Sequence, residues 1–137
     1  MTKAKVLVMN TSEEIIEMLC EVMRYEGFEA VSEFTHNFKK KEAAFTKYIE
    51  KIKPNLILYD IAIPYEENYK LFLKLGTIAK QKGIKIILTT TNKEALEKIV
   101  GKTNAFEIVG KPYDLDLLIR FVNKALFGKV DYPPQIT

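Results

Sequence analysis

The chain carries one cysteine, one histidine and no apolar run long enough to cross a membrane. A lone Cys20 forms no internal disulfide and suits a reducing compartment. One cysteine with one histidine (His36) also excludes a Cys/His metal cluster. Charge of one sign is scarce too, since 21 Lys and Arg against 18 Asp and Glu leave a net charge of only +3. The one basic run, Lys39-Lys40-Lys41, reads as a solvated loop or helix start and not as a nucleic-acid contact. The opening MTKAK leads into a strand with few apolar residues, which is no secretory signal. These absences predict a cytoplasmic protein without nucleic-acid or membrane partners. There is no internal repeat, and 137 residues are enough for one domain that buries a core on both faces of a sheet.

What is present is a regular alternation. Short apolar runs at residues 5–9, 28–34, 55–59, 85–89 and 106–109 read as strands. Amphipathic stretches come after each of them. The first helix, residues 13–26, sets Ile15, Met18, Leu19, Val22 and Met23 on one face, and Gly27 ends it. Thr11-Ser12-Glu13-Glu14 fits a capping box with Thr11 as the cap. The second helix turns Ala44, Phe45, Tyr48, Ile49 and Ile52 inward and stops at Pro54. Helices over 67–82 and 93–100 come next, and Asp114 begins a last one carrying Leu118, Phe121 and Val122. Strands alternating with helices pair in parallel, because each helix is a crossover. The expected fold is an α/β/α sandwich around a five-stranded parallel sheet, over residues 1–128, with a non-periodic tail at 129–137.

In such a sheet the strands' carboxyl ends share one edge, where open α/β folds place their ligands. That edge collects Asn10 and Thr11, Asp60, Thr90 and Thr91, and Lys111. A carboxylate, a hydroxyl and an ammonium suit chemistry on a small anionic group. Asp60 can attack a phosphoryl donor, Thr90 can donate to a phosphoryl oxygen, and Lys111 can neutralise its charge. Lys111-Pro112 is a candidate cis peptide bond. No second carboxylate faces Asp60 from the neighbouring strand ends.

Three stretches in order carry a resemblance. PNLILYDIAIP (54–64), KIILTTT (85–91) and VGKPYDLDLL (109–118) resemble the phosphoacceptor strand, the fourth strand and the fifth strand of response-regulator receiver domains. The likeness covers nearly the whole chain. It implies a flavodoxin-like receiver topology with Asp60 as phosphoacceptor, Thr90 as the switch hydroxyl and Lys111 as the phosphate-facing lysine. A histidine kinase or phosphotransfer protein would be the donor in two-component signalling. Output would pass to a protein partner, through the fourth helix, fifth strand and fifth helix, and a homodimer is compatible with it. Enzymatic turnover beyond self-phosphorylation and autodephosphorylation is not implied.

The departures are as specific. The family's two acids after strand one, which hold Mg²⁺ with the acceptor aspartate, fall on Asn10 and Thr11. A metal site of Asp60, Asn10 and Thr11 is therefore expected to be weak or lost, because Mg²⁺ wants charged oxygens in octahedral order. The aromatic switch position falls on Ile108, the loop bearing His36 is longer than usual, and Glu67-Asn68 replaces the usual Asp-Gly turn. Two other readings stand beside this one. One is a phosphorylation-independent pseudo-receiver adaptor. The other is a flavodoxin-like small-ligand-binding protein, disfavoured because Met9-Asn10-Thr11-Ser12 lacks the glycines that let backbone approach a phosphate.

Overall fold

A computed structural model describes residues 3–90, 92–100, 107–110 and 114–128, with the backbone alone for 100 and 107–110. The strands are β1 (Lys5–Asn10), β2 (Glu29–Phe34), β3 (Leu56–Ile61), β4 (Lys85–Thr90) and β5 (Glu107–Gly110). The helices are α1 (Glu13–Tyr25), α2 (Glu42–Ile52), α3 (Tyr65–Gln81), α4 (Lys93–Val100) and α5 (Leu115–Phe127). All four strand pairings are parallel, and the order is β2-β1-β3-β4-β5. The expected five-stranded sandwich is thus the fold observed. No helix among the described residues is long and apolar enough to cross a membrane.

Strand alternation divides the core in two. Val6, Val8, Leu56, Leu58 and Ile87 pack beneath α1 and α5, against Leu19, Met23, Leu118 and Val122. Leu7, Met9, Ile57, Tyr59 and Leu88 pack beneath α2, α3 and α4, against Phe45, Ile49, Phe72, Leu75 and Leu96. This distribution is the one that right-handed crossovers produce from the strand order. The less apolar β2 lies at the sheet edge, as its composition suggests.

Three details differ from expectation. The cap of α1 is Ser12, whose Oγ accepts from the Ile15 N–H at 3.3 Å, and not Thr11. The buried stripe of α1 is centred on Ile16, Leu19, Cys20 and Met23, leaving Ile15, Met18 and Val22 outside the fully buried set. On α2 only Phe45 and Ile49 are fully buried, and Ala44 is exposed. Cys20 packs in the core beneath α1, where burial pushes its thiol pKa up against the lowering influence of Arg24 and Ser32.

Within α3, Gly76 lets the Phe72 ring lie on its own helix. A Cβ there would stand 3.0 Å from Phe72 Cε1 and 3.1 Å from Cζ. Phe72 has little room to yield, with its ring edge-on to Tyr59 at 5.0 Å and tilted against Tyr69 at 5.9 Å. Gly76→Ala therefore sets a helix-propensity gain of about 1 kcal/mol against an overpacking cost of roughly 1–3 kcal/mol. The expected outcome is a less stable protein, read as a lower urea midpoint.

Candidate functional site

The site is built by three strand ends on the α1/α5 side of the sheet. The β3–β4 register sets Asp60 opposite Thr89, and the β1–β3 register runs to Met9 opposite Tyr59. One step further along that register sets Asn10 beside Asp60. Alternation then puts Asn10, Asp60 and Thr89 on one face, above Val8, Leu58 and Ile87. All three are buried, at 1%, 3% and 1% exposure.

The Thr89 hydroxyl donates to Asp60 Oδ1 at 2.7 Å. Accepting at a carboxylate oxygen makes this bond one of the charge-assisted kind. Thr90, the hydroxyl singled out from the sequence, lies one step on, opposite Ile61. It is fully buried, and its Oγ1 accepts from the Asn92 N–H at 3.4 Å. Lys111, Pro112 and Thr91 lie outside the described residues, as do the tail and the candidate cis bond. Ile108 is described in its backbone only.

Asn10 forms a turn with Thr11 and Ser12. Its Oδ1 accepts from the Thr11 N–H at 2.8 Å and from the Ser12 N–H at 3.0 Å. These two donors fix which end of the carboxamide is oxygen. Its Nδ2 is buried and has no hydrogen-bond partner among the described residues. The same turn explains the cap, because it draws Ser12 into the position from which its hydroxyl meets the helix.

Past Asp60 the chain is held by a residue that the sequence pattern alone did not mark as a site element. Asn68 Nδ2 donates to the Ala62 carbonyl at 2.8 Å, tying α3 to the loop after β3. An asparagine in the first turn of a helix, just past a strand-end loop, was the available signal. Tyr65 packs half-buried on the α2/α3/α4 side, the face opposite Asp60. His36 is exposed and stacks on Phe34 at 5.3 Å, at the far edge strand. A groove of about 470 Å³, lined in part by Ile49, Lys53, Pro54, Lys82 and Ile84, opens at the strands' amino ends, away from these residues.

Tyr59 lies beneath Asp60 on the other face. Burial first, then the neighbouring Asp60 charge, drive its pKa far above the ordinary phenol range. Its hydroxyl is buried without a hydrogen-bond partner among the described residues. Tyr59→Phe removes a desolvated group that makes no such bond, so it is expected to gain up to about 1 kcal/mol at neutral pH. A tyrosine in the unfolded chain ionises near pH ~10. Above that pH the unfolded state releases a proton that folded Tyr59 keeps, so stability falls as pH rises. The phenylalanine variant lacks that contribution. Urea unfolding at neutral and alkaline pH should show the advantage of Tyr59→Phe widening.

The resemblance to receiver domains leads to the expectation of a divalent cation at this edge. Such an ion needs several oxygen ligands, preferably charged. Asn10 Oδ1 is committed to two backbone N–H groups, the Asn10 donor end is left over, and Asp60 Oδ1 accepts from Thr89. Thr11 is exposed, and no cluster of three acidic, His or Cys residues is found among the described residues. This donor set does not fit the ion.

Comparison with known proteins agrees with the fold. No protein-family model matches the chain. Protein PilH of Pseudomonas aeruginosa is 30% identical over 77 residues, covering 56% of this chain and 64% of PilH, so less than two thirds of that relative is spanned. The receiver domain of the response regulator PhyR from Erythrobacter litoralis superposes with a TM-score of 0.68 at 18% identity, over 98% of each chain. The chemotaxis protein CheY4 of Vibrio cholerae gives 0.65 at 20% identity, over 91% of this chain and 100% of that one. A pilus assembly-related protein from Burkholderia pseudomallei gives 0.70 at 12% identity, over 90% of each. The fold is that of response-regulator receiver domains, and this chain resembles them.

Proposed function

We propose that this protein works as a receiver-type switch in phosphorelay signalling, with Asp60 as the phosphoacceptor. The observation that carries the reading is a buried aspartate ending the central strand, with a hydroxyl bonded to one of its two oxygens. A histidine kinase or phosphotransfer protein would be the donor. A carboxylate oxygen of Asp60 forms the bond to phosphorus, and the donor's leaving atom keeps the electron pair of the bond that breaks. Thr89, the hydroxyl that reaches Asp60, together with the lysine that the resemblance assigns, Lys111, would read the acyl phosphate, in place of the Thr90 expected from sequence. The response is a shift between two surface states that a protein partner distinguishes. The surface of α4, β5 and α5 is the proposed partner contact, where Ile99 of α4 is 40% exposed.

Beryllofluoride, a phosphoryl mimic, tests this when titrated with and without Mg²⁺ while backbone amides are followed by NMR. Saturable shifts around Asn10, Asp60 and Thr89, lost in Asp60→Asn, are expected. Shifts that persist in Asp60→Asn, or no shifts under either condition, would overturn the reading. A second reading is the phosphorylation-independent adaptor. It is favoured by the same Thr89 bond, which gives Asp60 a donor within the protein itself.

A further inference from the structure

The Asn10 carboxamide and the Thr89 hydroxyl lie on the two strands that flank β3, at the same edge of the sheet as Asp60. Each presents, or already uses, a donor at the place where the resemblance to receiver domains leads to the expectation of a cation. Asn10 has no freedom to present its oxygen instead, since rotating the amide would lose two backbone bonds of 2.8 and 3.0 Å. It would also set its N–H groups against those of Thr11 and Ser12. A buried amide donor left unbonded costs roughly 1–3 kcal/mol, and native proteins keep few of them. Thr35 and Tyr59 also have buried hydroxyls without partners among the described residues. A hydroxyl can swing toward a new partner, whereas Asn10 Nδ2 is fixed in place by the bonds on its other end.

We propose that the Thr89 hydroxyl positions Asp60 in the place of a divalent cation, with Asn10 Nδ2 as a donor for an oxygen of the incoming phosphoryl group. The proposal rests on reading this edge as the phosphoryl site. The Thr89 hydroxyl, 2.7 Å from Oδ1, fixes the orientation in which the Asp60 carboxylate meets phosphorus. With its oxygen committed, Asn10 has only N–H groups left to offer, which favours an anionic oxygen and disfavours a cation. An oxygen placed there satisfies the buried donor, so the cost of the unbonded amide is relieved on binding. The site is accordingly independent of divalent metal, in contrast to the ion-dependent arrangement that the resemblance implies.

The test uses the full chain in metal-depleted buffer, with wild type, Asn10→Asp, Thr89→Val and Thr89→Ser. Mg²⁺ alone is titrated first against the backbone amides. Wild type should show no saturable shift up to about 10 mM, whereas Asn10→Asp, which gives Asp60 a second carboxylate, should gain one centred on residues 10 and 60. Saturable binding by wild type below about 1 mM would overturn the metal-free site. The Asp60 carboxyl carbon resonance is then compared across the Thr89 series. It should move in Thr89→Val and return in Thr89→Ser, and an unchanged resonance in Thr89→Val would end the positioning role. Beryllofluoride should bind wild type equally with and without Mg²⁺, and about tenfold more weakly in Thr89→Val, the loss of one hydrogen bond. Binding that requires Mg²⁺ would also overturn the proposal. If beryllofluoride binds no variant, the phosphoacceptor reading and the assignment of Asn10 Nδ2 both fail, and the Mg²⁺ and carboxyl-carbon measurements still decide how Asp60 is held.

Discussion

Asp60→Asn is expected to reduce phosphoryl labelling from acetyl phosphate to background, measured by intact mass. The substitution keeps the volume of the side chain and an acceptor at Oδ1 for the Thr89 hydroxyl, which lies 2.7 Å away. It removes the nucleophile, because an amide nitrogen has no lone pair free to form the acyl phosphate. The fold should therefore survive with an unfolding midpoint close to wild type, and the two readouts separate chemistry from stability. A charge-assisted bond becomes a neutral one, a change of about 1 kcal/mol. The exchange also removes the burden of a buried ionised group, which acts in the opposite direction. An Asp60→Asn protein that labels as fast as wild type would move the acceptor elsewhere. One that fails to fold would show that the carboxylate is chiefly structural, the outcome the adaptor reading anticipates.

How much of this was legible in the sequence depended on the period of the pattern. The strands were readable because runs such as residues 56–59 are continuously apolar and are bounded by Pro54 on one side and a carboxylate on the other. The centre of the α1 stripe was not readable. Ile15, Ile16, Met18, Leu19, Cys20, Val22 and Met23 cover a wide arc, and only packing on the sheet decides that Ile16 and Cys20 lie within its buried centre. The cap went to Ser12 because the Asn10 carboxamide turns the chain first, a contact between neighbours that a capping-box pattern does not contain.

The site was legible as an edge but not in its detail. Thr89 and Thr90 are adjacent, so alternation sends them to opposite faces, and a single step of register decides which meets Asp60. Resemblance pointed to Thr90, and the β3–β4 register brings Thr89 to the carboxylate. The missing acids at Asn10 and Thr11 were plain in the sequence. That the Asn10 carboxamide would commit its oxygen to two backbone N–H groups and leave its buried donor end over required the geometry of the turn it makes.

Phe72→Ala is expected to be the most destabilising of these substitutions, and its interaction with Gly76 can be tested in sign as well as size. Phe72 is 1% exposed and meets Tyr59 edge-on, beneath the strand that carries Asp60. Truncating a buried phenylalanine costs about 3–5 kcal/mol. The upper part of that range is expected, because Gly76 has no side chain to fill the space and the ring lies directly over it. Against a typical total of roughly 5–15 kcal/mol, this is a large share of the stability, and the melting temperature should fall by more than about 10 °C. The folded fraction should still take up phosphate, since Asn10, Asp60 and Thr89 lie on the other face of the sheet. With the ring gone, nothing opposes a methyl group at position 76. Gly76→Ala, destabilising in the wild-type background, should then stabilise the Phe72→Ala protein by about 1 kcal/mol, the helix-propensity difference alone. A cycle of the four proteins by urea unfolding measures this reversal. Equal effects of Gly76→Ala in both backgrounds would mean that the Phe72 ring is free to move aside, and that its edge contact with Tyr59 contributes little to holding β3 in place.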